Sequence, residues 1–324
     1  MQIISLDLSS PAVLPPIALT IGNYDGVHLG HRSMIRLLLQ TACQNNLASA
    51  IMVFEPQPRE FFCADNPPPR LSSLAEKALM MSQLGVDYLI VARFDDKFRS
   101  LSARCFANLL TALNAQCLVL GDDFRFGHDR AGDADFLRGL GFGVDSLPTV
   151  MTGDKRISST AVRMALAKQD LPFAKELLGR DYAITGRVVH GDKIGRTLNF
   201  ATANIALNRP KPALLGVYGA DVFVMKGGKK ADWGEFGLSG GVAGVHEGSL
   251  FGAVNVGMRP TINGKEYRLE VHLPKFAGDL YGLTLQVVFL TYLHGEKKYG
   301  SLELLKAGIA DDVSALLAWR DAVA

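Results

Sequence analysis

The chain has 324 residues, with 34 Lys and Arg against 32 Asp and Glu, a net charge of +2. Hydrophobic residues make up 48% and charged residues 20%, which excludes a disordered chain and leaves apolar surface for a core in each of two domains. No large positive surplus points to duplex nucleic acid or an anionic membrane, although local basic clusters could still grip phosphates.

No run of about 18 uninterrupted apolar residues is present to cross a bilayer. Met1 to Leu19 lacks a cationic start, and Asp7 and several prolines break its apolar stretch, so it does not read as a signal peptide. Cys43, Cys63, Cys105 and Cys117 share no CxxC spacing and have no histidine pattern beside them. They read as reduced thiols, and the expectation is a cytoplasmic protein.

In chain order, Ile17–Ile21 is predicted as a short buried strand ending at Gly22. A helix follows from about His31 to Gln44, with Met34, Ile35, Leu38 and Leu39 on one face. Ala50–Phe54 is a second strand, closed by Pro56 and Pro58. Leu74–Leu84 reads as a helix, Asp87–Val91 as a strand, Ala103–Leu113 as a helix and Cys117–Leu120 as a strand ending at Gly121. This alternation predicts a parallel sheet with helices on its faces, and it puts the chemistry in the loops after Ile21, Phe54 and Leu120.

The pattern changes near residue 180. Helices at 159–168 and 172–178 give way to short alternating strands at 184–189, 217–225, 250–256, 267–273 and 283–290. Glycine turns separate them, which predicts a small antiparallel barrel, closed off by a helix from Ser301 to about Leu317. The glycine-rich stretch Lys226–Ser249 reads as a long hairpin loop open to motion.

Gly22-Asn23-Tyr24-Asp25-Gly26-Val27-His28-Leu29-Gly30-His31 follows the first strand and opens the first helix. Gly22, Gly26 and Gly30 let backbone approach a bulky anion, and the helix N-terminus offers N–H donors and a positive dipole end. His28 and His31, spaced i and i+3, project to one side and could stabilise charge on a phosphoryl group in transfer. The plain alternative is a glycine-rich turn with two capping histidines. Further on, in Ile157-Ser158-Ser159-Thr160-Ala161-Val162-Arg163, Ser159 or Thr160 can cap the next helix, and Arg163 one turn in can grip a phosphate.

Together these pieces resemble the nucleotidylyltransferase superfamily with its HxGH and ISSTxxR motifs. Phe54-Glu55-Pro56-Gln57-Pro58, Arg70-Leu71 and Gly121-Asp122-Asp123-Phe124-Arg125-Phe126-Gly127 narrow the resemblance to the FMN adenylyltransferase module of bacterial bifunctional riboflavin kinase/FAD synthetases. The resemblance implies that ATP and FMN are joined to give FAD and pyrophosphate, with Mg²⁺. His28 and His31 would bind the ATP phosphates and stabilise the transition state. Gly22, Asn23, Asp25 and Gly30 would shape the nucleotide and metal pocket, Ser159, Thr160 and Arg163 would hold the triphosphate, and Asp123, Phe124 and Arg125 would help bind flavin. Tyr24 stands where the family usually has Phe. No GxxxxGK[ST] is present, which argues against a P-loop mechanism.

In the second half, Gly191 and Gly195 allow a flap over a nucleotide, and Thr202 and Asn204 offer oxygens for Mg²⁺ and phosphate. Arg268, Glu270 and His272 share one strand face, with Leu269, Val271 and Leu273 on the other. A carboxylate so held can remove a hydroxyl proton, and the competing reading is an ordinary charged strand face. GR-x-L-x-F-x-TAN, Gly216-Val217-Tyr218, Asn255–Thr261, Glu270-Val271-His272 and Asp279–Gly282 occur in the order of the riboflavin kinase family. That resemblance implies a six-stranded barrel that phosphorylates the terminal ribityl hydroxyl of riboflavin with Mg-ATP. Thr202 and Asn204 become metal ligands, Glu270 the base, and Gly191, Gly195 and Arg196 part of the ATP site.

The expected division is a Rossmann-like nucleotidylyltransferase domain at 1–182 and a riboflavin kinase-like barrel with its C-terminal helix at 183–324. Asn199 stands for the family's usual Gly, Ala201 for Pro, and Thr291-Tyr292 where an Arg is usual after Phe289-Leu290. These departures keep a second reading open, FMN adenylylation alone with a kinase-impaired flavin-binding barrel. Adenylyl transfer to a pantetheine or nicotinamide nucleotide and an RNA-binding barrel are further alternatives. The near-neutral charge and the lack of an aromatic RNA-recognition motif argue against the last. The expected partners are riboflavin, FMN, FAD and ATP, with no nucleic acid and no membrane, in a monomer or weak homo-oligomer.

Overall fold

The apolar run Ile17–Ile21 is buried at every position, the pattern of a parallel strand covered on both faces. The structure, a computed structural model, describes residues 1–190, 202–261 and 264–323. By its internal contacts the chain divides into two units, Met1–Pro68 with Leu74–Ala161, and Pro69–Ser73 with Val162–Ala324.

In the first unit, among the described residues, six strands form one sheet: β1 (Gln2–Leu6), β2 (Ile17–Ile21), β3 (Ala48–Glu55), β4 (Tyr88–Arg93), β5 (Ala115–Gly121) and β6 (Gly143–Leu147). Their order is β1-β4-β3-β2-β5-β6 and every pairing is parallel. Side chains alternate between two apolar clusters, with Ile17, Leu19 and Met52 in one and Ala18, Ile51 and Val53 in the other. Helices α1 (Leu29–Gln44) and α2 (Leu74–Gln83) add Ile35, Leu38 and Met81 to the second cluster, and α3 (Ala103–Ala112) adds Phe106 and Leu110 to the first. Helices therefore cover both faces. Chain direction across the sheet reverses beside β2, whose neighbours are β3 and β5, so the loops after β2 and β5 open at a topological switch point. Strands β1 and β6 escaped the sequence reading because both lie at sheet edges, with mostly exposed residues and no buried alternation.

The second unit takes up the short segment Pro69–Ser73 from the first half of the chain. The Leu71 carbonyl accepts hydrogen bonds from the Tyr182 hydroxyl at 3.0 Å and from Arg209 Nη1 at 2.9 Å. Helix α4 (Ser159–Ala167) straddles the division, and α5 (Leu171–Leu178) ends at Gly179, whose φ of 68° is the left-handed cap that glycine adopts freely.

The barrel strands are β7 (Ala183–Val189), β8 (Thr202–Ile205), β9 (Gly216–Lys226), β10 (Leu250–Thr261), β11 (Gly264–His272) and β12 (Thr284–His294). All pairings are antiparallel, in the order β9-β10-β11-β8-β7-β12, and β12 returns to pair with β9. Gly219 on β9 sits at a register irregularity. A Cβ there would come within 3.0–3.1 Å of Phe251, Thr291 and Leu316, so its absence lets the strand bend close beneath the C-terminal helix α6 (Leu302–Val323).

The Lys226–Ser249 stretch, expected as a long hairpin loop, has local structure of its own. It carries a short turn of 3₁₀ helix, Trp233–Phe236, with Trp233 buried against Phe276. Ser239–Gly240 pairs with Phe276–Ala277. Its far end is held by Asp221, a fully buried carboxylate on β9 that accepts from Val245 N at 2.9 Å and His246 N at 2.6 Å and contacts His246 Nδ1 at 2.7 Å. Glycine content hid this, because the anchoring acid lies outside the loop. Replacing Asp221 by Ala strands these amides without an acceptor, at about 1–3 kcal/mol each. We expect Asp221→Ala to lower the stability of the chain by about 3 kcal/mol in denaturant unfolding and to speed amide exchange at 242–249.

Candidate functional site

The turn from β2 into α1 is strained. Tyr24 has φ 49°, Val27 φ 40° and Gly26 φ 81°, and a positive φ at a β-branched valine is a genuine outlier of the kind that clusters at binding sites. His28 is the N-cap of α1, in extended conformation, and its Nδ1 accepts from His31 N at 3.3 Å. That acceptance leaves the proton of a neutral ring on Nε2. The two imidazoles stack with centroids 3.6 Å apart and 16° between planes, and Tyr24 lies 4.8 Å beyond His31. Burial pushes the Tyr24 phenol well above its ordinary value, against a hydrogen bond of 2.7 Å with Thr20 Oγ1. It therefore acts as a neutral wall.

A cavity of about 320 Å³ opens here, and it brings Gly22, His28, Gly30, His31, Asp123, Phe124 and Ser159 to one wall. Asn23 and Asp25 belong to the same loop but not to that wall. Asn23 Oδ1 is buried without a partner among the described residues, and Lys77, itself fully buried, donates to the Asn23 carbonyl at 3.2 Å. One expectation is corrected at α4: Ser158, not Ser159 or Thr160, caps it by accepting from Ala161 N at 3.2 Å. Ser159 Oγ instead donates to the Asp25 carbonyl at 2.9 Å, tying α4 to the strained loop, while Thr160 is exposed. Arg163 falls in the second unit, where its Nε donates to the Pro69 carbonyl at 2.6 Å.

Sequence reading missed two parts of this unit. Arg156 also lines the cavity and pairs with Asp123 at 2.9 Å, a contact that holds its guanidinium above its ordinary pKa. The Lys155-Arg156 pair just ahead of the serine motif was the available signal. A second cavity of about 470 Å³ is walled by Phe54, Phe62, Phe94, Phe98, Phe106 and Phe126, with Arg125 at its edge. Ile21 and Phe124 border both cavities. These phenylalanines come from one strand and from separate loops and helices, so no local motif announces the pocket.

In the barrel the strand register assembles the other candidates. Asn204 on β8 is directly opposite Glu270 on β11, and Thr202 opposite His272. Ala203, Ile205, Leu269 and Val271 between them are buried in the barrel core, so the polar residues share the other face. Gly191, Gly195 and Arg196, with Asn199 and Ala201, lie outside the described residues. Thr291 lies within β12, which runs on to His294, and His294 Nε2 contacts Asp312 Oδ1 on α6 at 2.7 Å. Among the described residues no group of three or more His, Cys, Asp and Glu could hold a metal by itself. The oxygen donors Thr202 and Asn204 suit a hard cation such as Mg²⁺, which leans on substrate phosphates rather than on a full protein cage.

The family profile described as FAD synthetase matches residues 10–161, and the profile described as riboflavin kinase matches 178–319. The bifunctional riboflavin kinase/FMN adenylyltransferase of Escherichia coli (strain K12) is 43% identical over 300 residues, 91% of this chain and 90% of that protein. The protein of the same description from Haemophilus influenzae is 40% identical over 326 residues, 98% of this chain and 99% of its own length. The chain belongs to the bifunctional riboflavin kinase/FMN adenylyltransferase family. A solved structure, described as a macrolide-efflux protein from Streptococcus pneumoniae, follows this member of the family over 98% of the chain and 99% of its own, with 27% identity and a TM-score of 0.76. Among the described residues no helix is long and apolar enough to cross a membrane.

Gly30 offers a clean test of the histidine geometry. A Cβ there would stand 3.2 Å from His28 Cε1 and Nδ1, while helix propensity favours Ala by up to about 1 kcal/mol. We expect Gly30→Ala to keep or raise the thermal midpoint and to weaken pyrophosphate binding about tenfold by calorimetry, because one disturbed charge-assisted hydrogen bond is worth about that much.

Proposed function

We propose that the chain makes FAD in two steps, with the kinase step in the barrel, 183–324, and the adenylyl transfer in the nucleotidylyltransferase domain, 1–182. The barrel transfers the γ-phosphoryl group of ATP to the terminal ribityl hydroxyl of riboflavin, giving FMN and ADP. The parallel-sheet domain then joins FMN to the α-phosphorus of a second ATP, giving FAD and pyrophosphate. The carrying observation is the pair of cavities that share Ile21 and Phe124 at the switch point. One is lined with imidazoles at a helix N-terminus, suited to a triphosphate; the other is a box of aromatic rings, suited to an isoalloxazine.

For adenylylation, an oxygen of the FMN phosphate attacks the α-phosphorus, and the bond to the β-phosphate oxygen breaks. No protein nucleophile takes part, so the residues act through position and electrostatics. His28 directs Nε2–H at the phosphate, with His31 stacked behind it. Gly22 and Gly30 keep the loop thin, and Asn23 and Asp25 help shape the loop that borders the nucleotide pocket. Ser159, which lines the cavity, helps hold the triphosphate, and Asp123, Phe124 and Arg125 hold the flavin end. Arg156, paired with Asp123, sits where it can meet the same charge.

For phosphorylation, Glu270 takes the proton of the ribityl hydroxyl as its oxygen attacks the γ-phosphorus and ADP leaves. Thr202 and Asn204 would hold Mg²⁺ with ATP, the ion lending charge neutralisation to the phosphates. The opposed pair Asn204 and Glu270 favours a working kinase over an impaired barrel. Both reactions would run in the cytoplasm.

Chromatography of products from Mg-ATP with riboflavin, and separately with FMN, tests the whole reading. FAD from both substrates is expected, whereas FAD from FMN alone would leave the barrel without its kinase role. His28→Ala should cut FAD formation about a hundredfold or more, the usual loss for one donor at developing charge, while FMN still forms. Glu270→Ala should do the reverse, and an undiminished FMN yield would remove Glu270 from the role of base.

A further inference from the structure

Glu270 has a neighbour on each side. β11 pairs with β8 through Asn204 opposite Glu270 and with β10 through Asn255 opposite Glu270. The three residues therefore lie in one line across three adjacent strands. Directly opposed positions on an antiparallel ladder place their Cβ atoms about 4.5–5.5 Å apart. Val254 and Val256, flanking Asn255, are buried in the barrel core, so Asn255 stands on the same polar face as the other two.

The Asn255 side chain is incompletely used. Its Oδ1 is buried and has no hydrogen-bond partner among the described residues. Its Nδ2 lies towards Gly257, 3.3 Å from where a Cβ of that residue would be. Gly257 has no side chain, and the Glu296 carboxylate occupies the space, accepting from Met258 N at 3.3 Å. The amide nitrogen is thus turned along β10 towards that carboxylate, and the carbonyl oxygen is left turned away from it. A buried acceptor without a donor is unfavourable, and its persistence beside a general base is explained by a donor that arrives with the substrate.

We propose that Asn255 is a substrate-positioning residue of the barrel site, its carbonyl oxygen accepting a hydrogen bond from a hydroxyl of the polyol chain next to the one that reacts. The inference rests on the assignment of Glu270 as base. A chain with adjacent hydroxyls can donate one proton to Asn255 Oδ1 and present the next to Glu270, one strand away. The residue thereby selects for the ribityl chain rather than for the flavin ring, and it fixes which hydroxyl reaches the carboxylate.

The test compares riboflavin as substrate with lumiflavin, which lacks the hydroxylated chain, as competitive inhibitor of FMN formation by the full chain. Asn255→Ala should raise KM for riboflavin about fivefold, the value of one net hydrogen bond, and leave the inhibition constant of lumiflavin unchanged. The unchanged inhibition constant of lumiflavin reports that the barrel is folded. An equal rise for both flavins, or no rise for riboflavin, would overturn the proposal. Asn255→Asp keeps an acceptor oxygen at the same position. Riboflavin KM should then stay near wild type; a rise as large as that of Asn255→Ala would sink the idea. Glu270→Gln separates the two claims. Full kinase activity in that variant ends the assignment of the base, whereas its loss beside an unaffected Asn255→Ala ends only the role of Asn255.

Discussion

The pairing of β9 with both β10 and β12 closes the barrel among the described residues, and every polar position of the second site depends on that closure. Side chains alternate along a strand with a period of two, so a slip of one residue would turn Asn204 and Glu270 inward and expose Ala203 and Leu269. In a closed ladder a slip in one pairing must be matched by all the others. Burial of Val254, Val256, Leu269, Val271, Ala203 and Ile205 inside the barrel makes that collective slip costly. The apolar interior thus sets the geometry of the polar exterior, although none of these residues carries chemistry.

The parallel-sheet unit positions its groups by another route. Its working residues sit on loops and helix starts beyond the carboxyl ends of β2 and β5, where a sheet with helices on both faces leaves a crevice. His28 occupies an N-cap, a position where Ser, Thr, Asp and Asn are the stabilising choices. The cap bond to His31 N is a long 3.3 Å, and the loop before it holds Tyr24 and Val27 at positive φ. Local stability has been given up for an imidazole aimed out of a helix end. The strain is contained by neighbours: Ser159 and Lys77 bond the loop carbonyls of Asp25 and Asn23, and the buried Tyr24 ring anchors its middle through Thr20.

What was legible in the sequence follows the same division. Period and punctuation revealed the parallel sheet, the barrel and the C-terminal helix, because buried strands and amphipathic helices leave runs that can be counted. The histidine and serine motifs were legible because each is a continuous stretch. Strands β1 and β6 were not, since an edge strand with exposed faces lacks the alternation. The order of the Lys226–Ser249 stretch was hidden for a different reason, as Asp221 and Phe276 hold it from elsewhere in the chain. The phenylalanine-lined cavity was equally invisible, being assembled from residues between Phe54 and Phe126. Ser158 in place of its neighbours as the cap of α4 shows the limit of local rules: three consecutive hydroxyls can each serve, and the loop carbonyl of Asp25 decides which one is drawn away.

The departures at Asn199 and Ala201 can be weighed on this footing. Both precede β8, whose register is set by Thr202, Ala203, Asn204 and Ile205 opposite His272, Val271, Glu270 and Leu269. Ala203 and Ile205 are buried and fix the face of the strand on their own. The placement of Thr202 and Asn204 is therefore set within the strand pairing itself. The placement of the acid opposite the amide is a property of the ladder. Substitutions that enlarge Ala203 or remove Leu269 bear on it more directly than the two that depart from the family pattern.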